Sequence, residues 1–243
     1  YISMENQIEN VIFRSAAHID KEPILDMYPE IFNARSPLRL GFGLPLRGKI
    51  IDQYLPKGID QGNSVVAVDT TQNSIVGFNV CEIIDSHQES IMETIVKCIN
   101  ADTGATPAVG QPVRHFMCQL YEGLGEILPK YKLFLHKFVA VRPSHAGRGI
   151  HSSFIDIGDQ IAEKEGCDLL LVEAITGRSQ RNFEKKGYKC LKEIKYRDYS
   201  HNGEVMNVAE IVGEESCKLL CKICRNSPQC EVLRAEIKAF LIK

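Results

Sequence analysis

The segment that most constrains this chain is residues 139–151, with the sequence VAVRPSHAGRGIH. An apolar strand ends before Pro143, and Gly147 and Gly149 follow where a helix begins. Glycines at such a turn let backbone N–H groups approach a ligand, and the first turn of a helix carries partial positive charge. Arg148 adds a formal charge beside them. The segment predicts a site for a phosphate or pyrophosphate; the alternative is a plain strand–helix turn.

Strands and helices alternate around this segment. Residues 133–141 predict a strand, and residues 168–174 are a nearly continuous apolar run, which is typical of a strand buried on both faces. Residues 149–164 repeat their apolar positions at helical spacing. A short helix is predicted over 179–186 and a strand over 188–196, because Gly187 separates two different periodicities. The carboxy-terminal half therefore predicts the order β-α-β-α-β.

The amino-terminal half shows weaker patterns. Residues 11–15 predict a first strand, and Asp20 is expected to cap the helix that follows it. Residues 36–45 are broken by prolines and glycines and predict a loop. Residues 64–69 and 74–84 predict a β-hairpin because a short polar turn separates two apolar runs. A further helix is expected over 47–54.

A long helical insertion, about residues 87–131, is predicted between this hairpin and the strand that precedes the glycine turn. A Gly/Pro-rich break is expected at 103–112. The insertion either shapes a substrate mouth or caps the sheet. Four of its apolar and aromatic residues lie close to helical spacing: Phe116, Met117, Leu120 and Tyr121. These side chains either line a pocket for an aryl group or form the core of the helix.

Charge and hydropathy exclude several classes of protein. The chain has 243 residues and a net charge of -2 without a long basic run, so no nucleic acid is expected as a partner. No stretch approaches the roughly 18 consecutive apolar residues of a membrane span. The amino-terminal residues do not resemble a secretory signal, since polar residues interrupt them. We expect a cytoplasmic protein that does not bind membranes, and either a monomer or a homodimer.

The nine cysteines give a second pattern to explain. Five are scattered among apolar neighbours, as expected for buried residues in a reducing compartment. The other four fall near the carboxy terminus: Cys217, Cys221, Cys224 and Cys230. Their spacing does not match a paired CxxC ribbon, so no metal is expected, although zinc and a disulfide stay open beside free thiols. A Cys-containing helix is predicted over about residues 225–243.

Three motifs in the carboxy-terminal half resemble a known family. Residues 141–150 have the pattern V-x-P-x-x-x-G-R-G-I, and residues 172–190 (VEAITGRSQRNFEKKGYKC) follow as a second motif. They resemble motifs A and B of the GCN5-related N-acetyltransferases. The runs FEKKGY (183–188) and IKYRDY (194–199) are similar to the insect-type arylalkylamine N-acetyltransferases of that family. The resemblance is good over residues 133–199 and absent from the cysteine-containing tail.

The resemblance implies a fold and a reaction. The fold is a mixed α/β structure with a mostly antiparallel seven-strand sheet, flanked by helices, whose fourth and fifth strands are splayed. Acetyl-CoA is the co-substrate: pantetheine lies in the split, the pyrophosphate lies on the glycine turn, and a small primary amine attacks the thioester directly. The implied coenzyme-binding residues are Phe138, Val139, Val141, Ala146, Gly147, Arg148, Gly149, Ile150 and His151.

The chain departs from the family pattern at several positions. Ala146 replaces the usual Arg or Gln, and His151 replaces the usual Gly or Ala. The insect-type enzymes carry a glutamate as base in a Glu-Pro-Leu turn, and the matching position here is Ser36, unless a shifted alignment makes it Glu22. The tyrosine that many members use as an acid corresponds to Phe183, as it does in the insect-type branch.

Two further residues are candidates for catalysis. Ser179 matches a serine that supports thiolate protonation in the insect-type branch, and the alternative is that it caps the following helix. His136 lies near the split with a side chain able to titrate near neutral pH. Strand alternation puts His136 on the face opposite Val139 and Val141 unless a bulge intervenes, so a core or solvent-facing histidine is the alternative. His115 in the insertion is no stronger a candidate for catalysis than His136.

Together these patterns predict one domain over residues 1–243 that transfers acetyl from acetyl-CoA to a small primary amine, such as an arylalkylamine. Two alternatives stay open. Ser36 and Ala146 favour a coenzyme-binding protein that has lost its catalytic base. A protein or peptide N-acetyltransferase would need an open acidic groove.

Overall fold

The computed structural model describes residues 8–33, 35–43, 57–85, 107–211 and 213–242. The strands are β1 (Val11–Ser15), β2 (Val65–Asp69), β3 (Ser74–Asp85), β4 (Lys132–Val141), β5 (Leu169–Ala174), β6 (Lys189–Lys195), β7 (Ser200–His201), β8 (Glu204–Val205) and β9 (Ser216–Ile223). The helices are α1 (Lys21–Tyr28), α2 (Pro37–Gly41), α3 (Pro107–Leu120), α4 (Ile150–Lys164), α5 (Gly177–Lys185) and α6 (Cys230–Ile242). The helix expected over 47–54 and the first part of the predicted insertion, residues 87–106, lie outside the described residues.

Within the described residues the main sheet has seven strands in the order β1-β2-β3-β4-β5-β9-β6. The neighbouring strands are antiparallel except β4 and β5, which are parallel. The crossover between these two is α4, as a parallel pair requires. The prediction of a mixed α/β fold with a mostly antiparallel seven-strand sheet is confirmed.

Helices cover both faces of the sheet. On one face α4 and α5 pack through apolar side chains such as Phe154 and Phe183, both fully buried. On the other face α3 and α6 pack over one part of the sheet through Leu120 and Leu233. Beside them α1 packs through Met27 against β2 and β3. The sheet is therefore the middle of three layers, and β5, whose apolar run predicted burial on both faces, is almost wholly buried.

The predicted hairpin is confirmed as β2 and β3, but two expected breaks are helical. Residues 36–45 were expected to form a loop, yet α2 begins at Pro37. The Ser36 hydroxyl accepts a hydrogen bond from the N–H of Arg39, and Pro37 occupies the first turn, where it needs no N–H partner. The expected break at 103–112 is also wrong from Pro107 onwards, because α3 includes Pro112.

The four apolar residues of the insertion belong to the core. Phe116, Met117, Leu120 and Tyr121 are all buried in the cluster between α3, α6 and the sheet. Of the two interpretations, the burial of these side chains supports the one in which they form the core of the helix. His115, beside them, forms a hydrogen bond with the Tyr199 hydroxyl at 3.0 Å, and its ring lies against that of His201 with the two planes tilted by 40°.

Asp20 precedes α1 as predicted, but its side chain does not cap that helix. Its carboxylate accepts hydrogen bonds from the Arg14 guanidinium at 2.6 and 2.7 Å and from the N–H of Ala17 at 2.8 Å. These partners lie on β1 and in the following turn. Asp20 therefore fixes the connection between β1 and α1 and leaves the first turn of the helix without a side-chain cap.

The carboxy-terminal cysteines are spread over two faces of the sheet. Cys217 and Cys221 lie in the core on the α3 side, whereas Cys224 is buried on the α4 side. The eight cysteines that the structure describes are free thiols, and no group of three metal-ligating side chains is found among the described residues. The predicted terminal helix runs from Cys230 to Ile242, and residues 225–229 before it form turns. In the described part of the chain, no helix is long and apolar enough to cross a membrane.

Substitution of Gly158 tests how closely α4 packs against the sheet. A Cβ atom at this position would lie 2.3 Å from Cε1 of the buried His136 ring. Because that ring cannot move without breaking its hydrogen bonds, Gly158→Ala should lower the free energy of unfolding by about 1–3 kcal/mol in urea titrations, despite the better helix propensity of alanine. Gly125→Ala is the control, since a Cβ there meets nothing within 4 Å. Equal stability of the two variants would contradict this packing.

Candidate active site

The two central strands of the sheet, β4 and β5, pair over only part of their length. Their parallel ladder ends where His136 lies opposite Val172, although β4 continues to Val141. Over residues 138–141 the other edge of β4 stays paired with β3. The edge that faces β5 is therefore open, and such an edge can hydrogen-bond an extended ligand.

A β-bulge lies where the split begins. On β3, Cys81 is opposite His136 and its neighbour Val80 is opposite Phe138, so Lys137 is an extra residue on β4. A bulge increases the local twist and bends its strand. The bulge therefore helps β4 to diverge from β5 at this point.

The bulge also decides which β4 side chains share a face. Val139 and Val141 pack toward α4, and Phe138 packs toward α1. The His136 ring also lies on the α4 side, where it contacts Phe183 with ring centroids 5.2 Å apart. Strand alternation predicted that His136 lies on the other face of the sheet from Val139 and Val141 unless a bulge intervenes. The bulge at Lys137 is present, so all three share the α4 face.

The loop that follows β4 is anchored to β2. A short 3₁₀ turn, Pro143–His145, brings the buried His145 ring to Asp69, with 3.0 Å between Nε2 and Oδ2. The Nδ1 atom of this ring lies 2.9 Å from the hydroxyl of Ser144. Hydrogen bonds from Thr71 and from His145 lower the pKa of Asp69, so its carboxylate stays ionised. This anchor fixes the point from which the glycine turn departs.

The glycine turn has the backbone that an anion site needs. Gly147 and Gly149 have φ angles of 81° and 88°, in the left-handed region that favours glycine. Gly149 is the N-cap of α4, and no side chain caps this helix. The N–H groups of its first turn consequently have no helical partner and point into the space beyond the turn. Nothing lies within 4 Å of a Cβ position at Gly147.

Charged and polar side chains near the turn are already engaged. The Arg148 guanidinium hydrogen-bonds to the carbonyl of Glu9, and the Arg142 guanidinium pairs with Glu30. Ala146 adds no polar side chain. The anion-binding capacity of the turn therefore comes mainly from the backbone of α4.

His151 lies in the first turn of α4, between that helix and α5. Its Nδ1 accepts a hydrogen bond from the Asn182 amide at 3.3 Å, and its ring packs edge-on against Phe183. Burial, and then the nearby Arg178, lower the pKa of His151 to about 4. The ring is therefore neutral at neutral pH and does not supply positive charge for a phosphate.

Ser179 lies at the start of α5, just beyond the end of β5. The N-cap of α5 is Thr176, whose hydroxyl accepts a hydrogen bond from the N–H of Ser179 at 3.2 Å. The expectation that Ser179 caps this helix is therefore wrong, because α5 begins two residues earlier than predicted. The Ser179 side chain is partly exposed, and its hydroxyl has no partner among the described residues.

His136 is enclosed in a hydrogen-bond network. Its Nδ1 lies 3.1 Å from the Asn79 amide, and its Nε2 lies 3.0 Å from the Tyr188 hydroxyl. That hydroxyl donates to Asp159 at 2.8 Å, so Nε2 is the protonated nitrogen. Burial lowers the pKa of His136 to about 3. The ring is a neutral core residue that faces α4, and a role as catalytic base does not fit it.

The two positions considered for the family base have other surroundings. Ser36 is partly buried, and its hydroxyl is used by the first turn of α2. Glu22 is exposed in the first turn of α1. Neither position places a carboxylate in contact with the β4 edge among the described residues.

Two carboxylates escaped the sequence analysis. Glu82 on β3 is buried, with Lys57 at 2.7 Å and Lys137 at 3.6 Å from its two oxygens. Glu173 on β5 accepts a hydrogen bond from the Tyr121 hydroxyl at 2.7 Å. The sequence could have revealed both residues, because each glutamate interrupts an apolar strand. Charged residues within apolar strands are seldom buried without a structural or functional reason.

No protein-family model and no curated sequence matches this chain. Its structure, however, is similar to many solved structures, which share the fold of the GCN5-related N-acetyltransferases. Arylalkylamine N-acetyltransferase 2 from Aedes aegypti superposes with a TM-score of 0.76 at 17% identity, over 89% of this chain and 100% of that chain. At such identity the likeness establishes the fold.

Two further solved structures have a similar fold. A polyamine N-acetyltransferase from Drosophila melanogaster, which forms N-acetylagmatine, superposes with a TM-score of 0.71 at 16% identity, over 88% of this chain and 99% of that chain. Naa50 from Arabidopsis thaliana, in complex with a bisubstrate analogue containing CoA, has a TM-score of 0.50 at 12% identity, over 88% of this chain and 98% of that chain.

The buried His136 should make the protein sensitive to acid. The folded protein binds its proton at about pH 3, whereas the unfolded chain binds it at about pH 6.5. The stabilisation is therefore complete above about pH 6.5 and is lost as the pH falls towards about 3. Between about pH 7 and pH 5 we expect this residue to lower the free energy of unfolding by about 2 kcal/mol.

Urea unfolding at both pH values measures this contribution. His136→Gln should reduce the pH dependence by about that amount, whatever its effect on stability at neutral pH. His18→Gln serves as the control, because His18 is exposed. A pH dependence that is the same in both variants would show that His136 does not titrate as its burial requires.

Proposed function

We propose that this chain is an acetyl-CoA-dependent N-acetyltransferase that acetylates a small primary amine. The observation that carries the proposal is the split between β4 and β5, which opens after His136 and Val172 and leads to the glycine turn at the start of α4. An open strand edge suits the amide groups of pantetheine, and a helix N-terminus suits a pyrophosphate. Because the two features follow each other along one stretch of chain, one elongated ligand can use both.

The coenzyme is assigned to β4 and the following turn. Pantetheine lies along the open edge of β4, and the pyrophosphate lies over the first turn of α4. Backbone N–H groups supply most of the contacts, so the absence of a donor at Ala146 weakens this site without removing it. The residues in this assignment are Phe138, Val139, Val141, Ala146, Gly147, Arg148, Gly149, Ile150 and His151.

The reaction needs no covalent intermediate on the protein. Binding in the split holds the thioester where an amine can attack it directly, which replaces a slow bimolecular encounter. The leaving thiolate develops negative charge, which the first turn of α5 and a hydroxyl can stabilise. Ser179 is the hydroxyl we assign to this role, since it lies in that turn and no described residue occupies it.

The neighbours in structure support an amine as acceptor. The Aedes aegypti protein is an arylalkylamine N-acetyltransferase, and the Drosophila melanogaster protein acts on agmatine. A coenzyme-binding protein without activity is the second candidate, and Ser36 favours it, because the hydroxyl at the position of the family base serves as a helix cap.

Gly147→Glu tests the coenzyme site. A carboxylate at this position repels the pyrophosphate, and the side chain strains a left-handed backbone, so acetyl-CoA binding measured by calorimetry should fall at least about 100-fold. Gly166→Glu is the matched control. It introduces the same charge at a left-handed glycine with equally open surroundings, but beyond the carboxy-terminal end of α4. Unchanged affinity in Gly147→Glu would remove the site assignment.

The release of free thiol from acetyl-CoA tests the activity. Arylalkylamines, agmatine, polyamines and a lysine peptide should be compared between about pH 6.5 and about pH 9. We expect the wild-type protein to turn over one class of amine. The Gly147→Glu variant, which should not bind acetyl-CoA, gives the background rate. Acetyl-CoA binding without turnover of any amine would instead support the inactive coenzyme-binding protein.

A further inference from the structure

Glu173 lies at the closed end of the split. β4 and β5 separate after His136 and Val172, and Glu173 is the next residue of β5. Its backbone is fixed on the other side by β9, where it lies opposite Leu219. The residue therefore occupies a rigid strand position that borders the open space between β4 and β5.

The side chain of Glu173 points away from α4. Along β5, Leu171 packs into the core on the α3 side and Val172 packs on the α4 side, so alternation directs Glu173 to the α3 face. Its hydrogen bond with Tyr121, the residue directly after α3, agrees with this direction. A ligand thioester in the split would thus have α4 on one side and the Glu173 carboxylate on the other.

Glu173 is a carboxylate without a cationic partner among the described residues. The Tyr121 hydroxyl donates to Oε1 at 2.7 Å, and no hydrogen bond to Oε2 is found in that part of the chain. Cys217 on β9 also faces Glu173, but burial, and then Glu173 itself, raise the pKa of its thiol, so the thiol is uncharged. The carboxylate is partly exposed, which leaves it oriented and accessible.

Glu82, the other carboxylate near the split, does have cationic partners. It is 3% exposed and has two lysine ammonium groups beside it, Lys57 and Lys137. Those lysines already compensate its charge, so it has little attraction left for a cationic ligand. Glu173 is the carboxylate that a cationic ligand can still neutralise.

We propose that Glu173 binds the cationic acceptor amine and accepts its proton, with Tyr121 orienting the carboxylate. The proposal rests on the proposed function, because it requires a thioester in the split. Pantetheine that enters from the glycine turn and follows the β4 edge ends near His136, where the two strands close. An amine held by Glu173 at this end lies beside the thioester, and the family position occupied by Ser36 is not needed.

In the proposed reaction the amine loses two protons, one before and one after it attacks the thioester. The ammonium group gives one proton to the Glu173 carboxylate, and the freed lone pair of nitrogen forms a bond with the thioester carbonyl carbon. The C–S bond then breaks, and its electron pair goes to sulfur. A second proton from the nitrogen passes to the thiolate, and Glu173 releases its proton to water, which yields the amide, CoA thiol and one proton.

Glu173→Gln tests the role directly, since it keeps the size of the side chain and removes the charge. With the amine substrate, kcat/KM near neutral pH should fall about 100-fold, and the deficit should shrink as the pH approaches the pKa of the free amine. Acetyl-CoA affinity should not change. Glu173→Asp should recover part of the activity, and Tyr121→Phe should lower it less than Glu173→Gln.

Glu122→Gln is the matched control, because Glu122 adjoins Tyr121 but is exposed and pairs with Lys192. This variant should retain full activity. The role of Glu173 is overturned if Glu173→Gln turns over the amine as fast as the wild type, or if its loss of kcat/KM is equal at every pH. Either result leaves the proposed function standing.

A wild-type protein that turns over no amine overturns the proposed function instead, and amine binding to the CoA-loaded protein then decides the role of Glu173. Calorimetry with agmatine and an arylalkylamine should show binding that Glu173→Gln weakens about tenfold. Equal binding by both proteins, or no binding by the wild type, overturns the role of Glu173.

Discussion

The end of the β4–β5 ladder at His136 is the constraint on which the rest of the site depends. If the two strands stayed paired to Val141, the sheet would be continuous and no elongated ligand could enter it. The bulge at Lys137 bends β4 at this point. The hydrogen bonds of His136 with Asn79 and Tyr188 then fix the last paired position. The split therefore has a closed end that these hydrogen bonds hold in place.

Several features of this structure follow from local sequence. The hairpin of β2 and β3, the glycine turn and α4 were predicted because each depends on residues that are close in the chain. Gly147 and Gly149 adopt the left-handed backbone that makes glycine informative at a turn. The terminal helix was predicted from its apolar spacing, and α6 matches it from Cys230 to Ile242.

The features that were missed depend on pairing between distant segments. Whether Lys137 is an extra residue is set by the register between β3 and β4, and no local pattern on β4 announces it. In the same way Tyr121 and Glu173 are 52 positions apart, and only the packed sheet brings them to 2.7 Å. The loop predicted over residues 36–45 was wrong for a different reason, because prolines and glycines at such spacing also occur in a short capped helix.

The split has a consequence for how the chain is assembled during synthesis. β1, β2, β3 and β4 pair with one another within residues 11–141, and β5, β6 and β9 pair within residues 169–223. A short seam at β4 and β5 is the ladder that joins these two groups. All strand pairs of the first group lie within residues that are synthesised before the second group, whereas the β4–β5 ladder and the packing of α4 need later residues. The split between β4 and β5 thus also separates the sheet into two groups of strands, each of which is continuous in sequence.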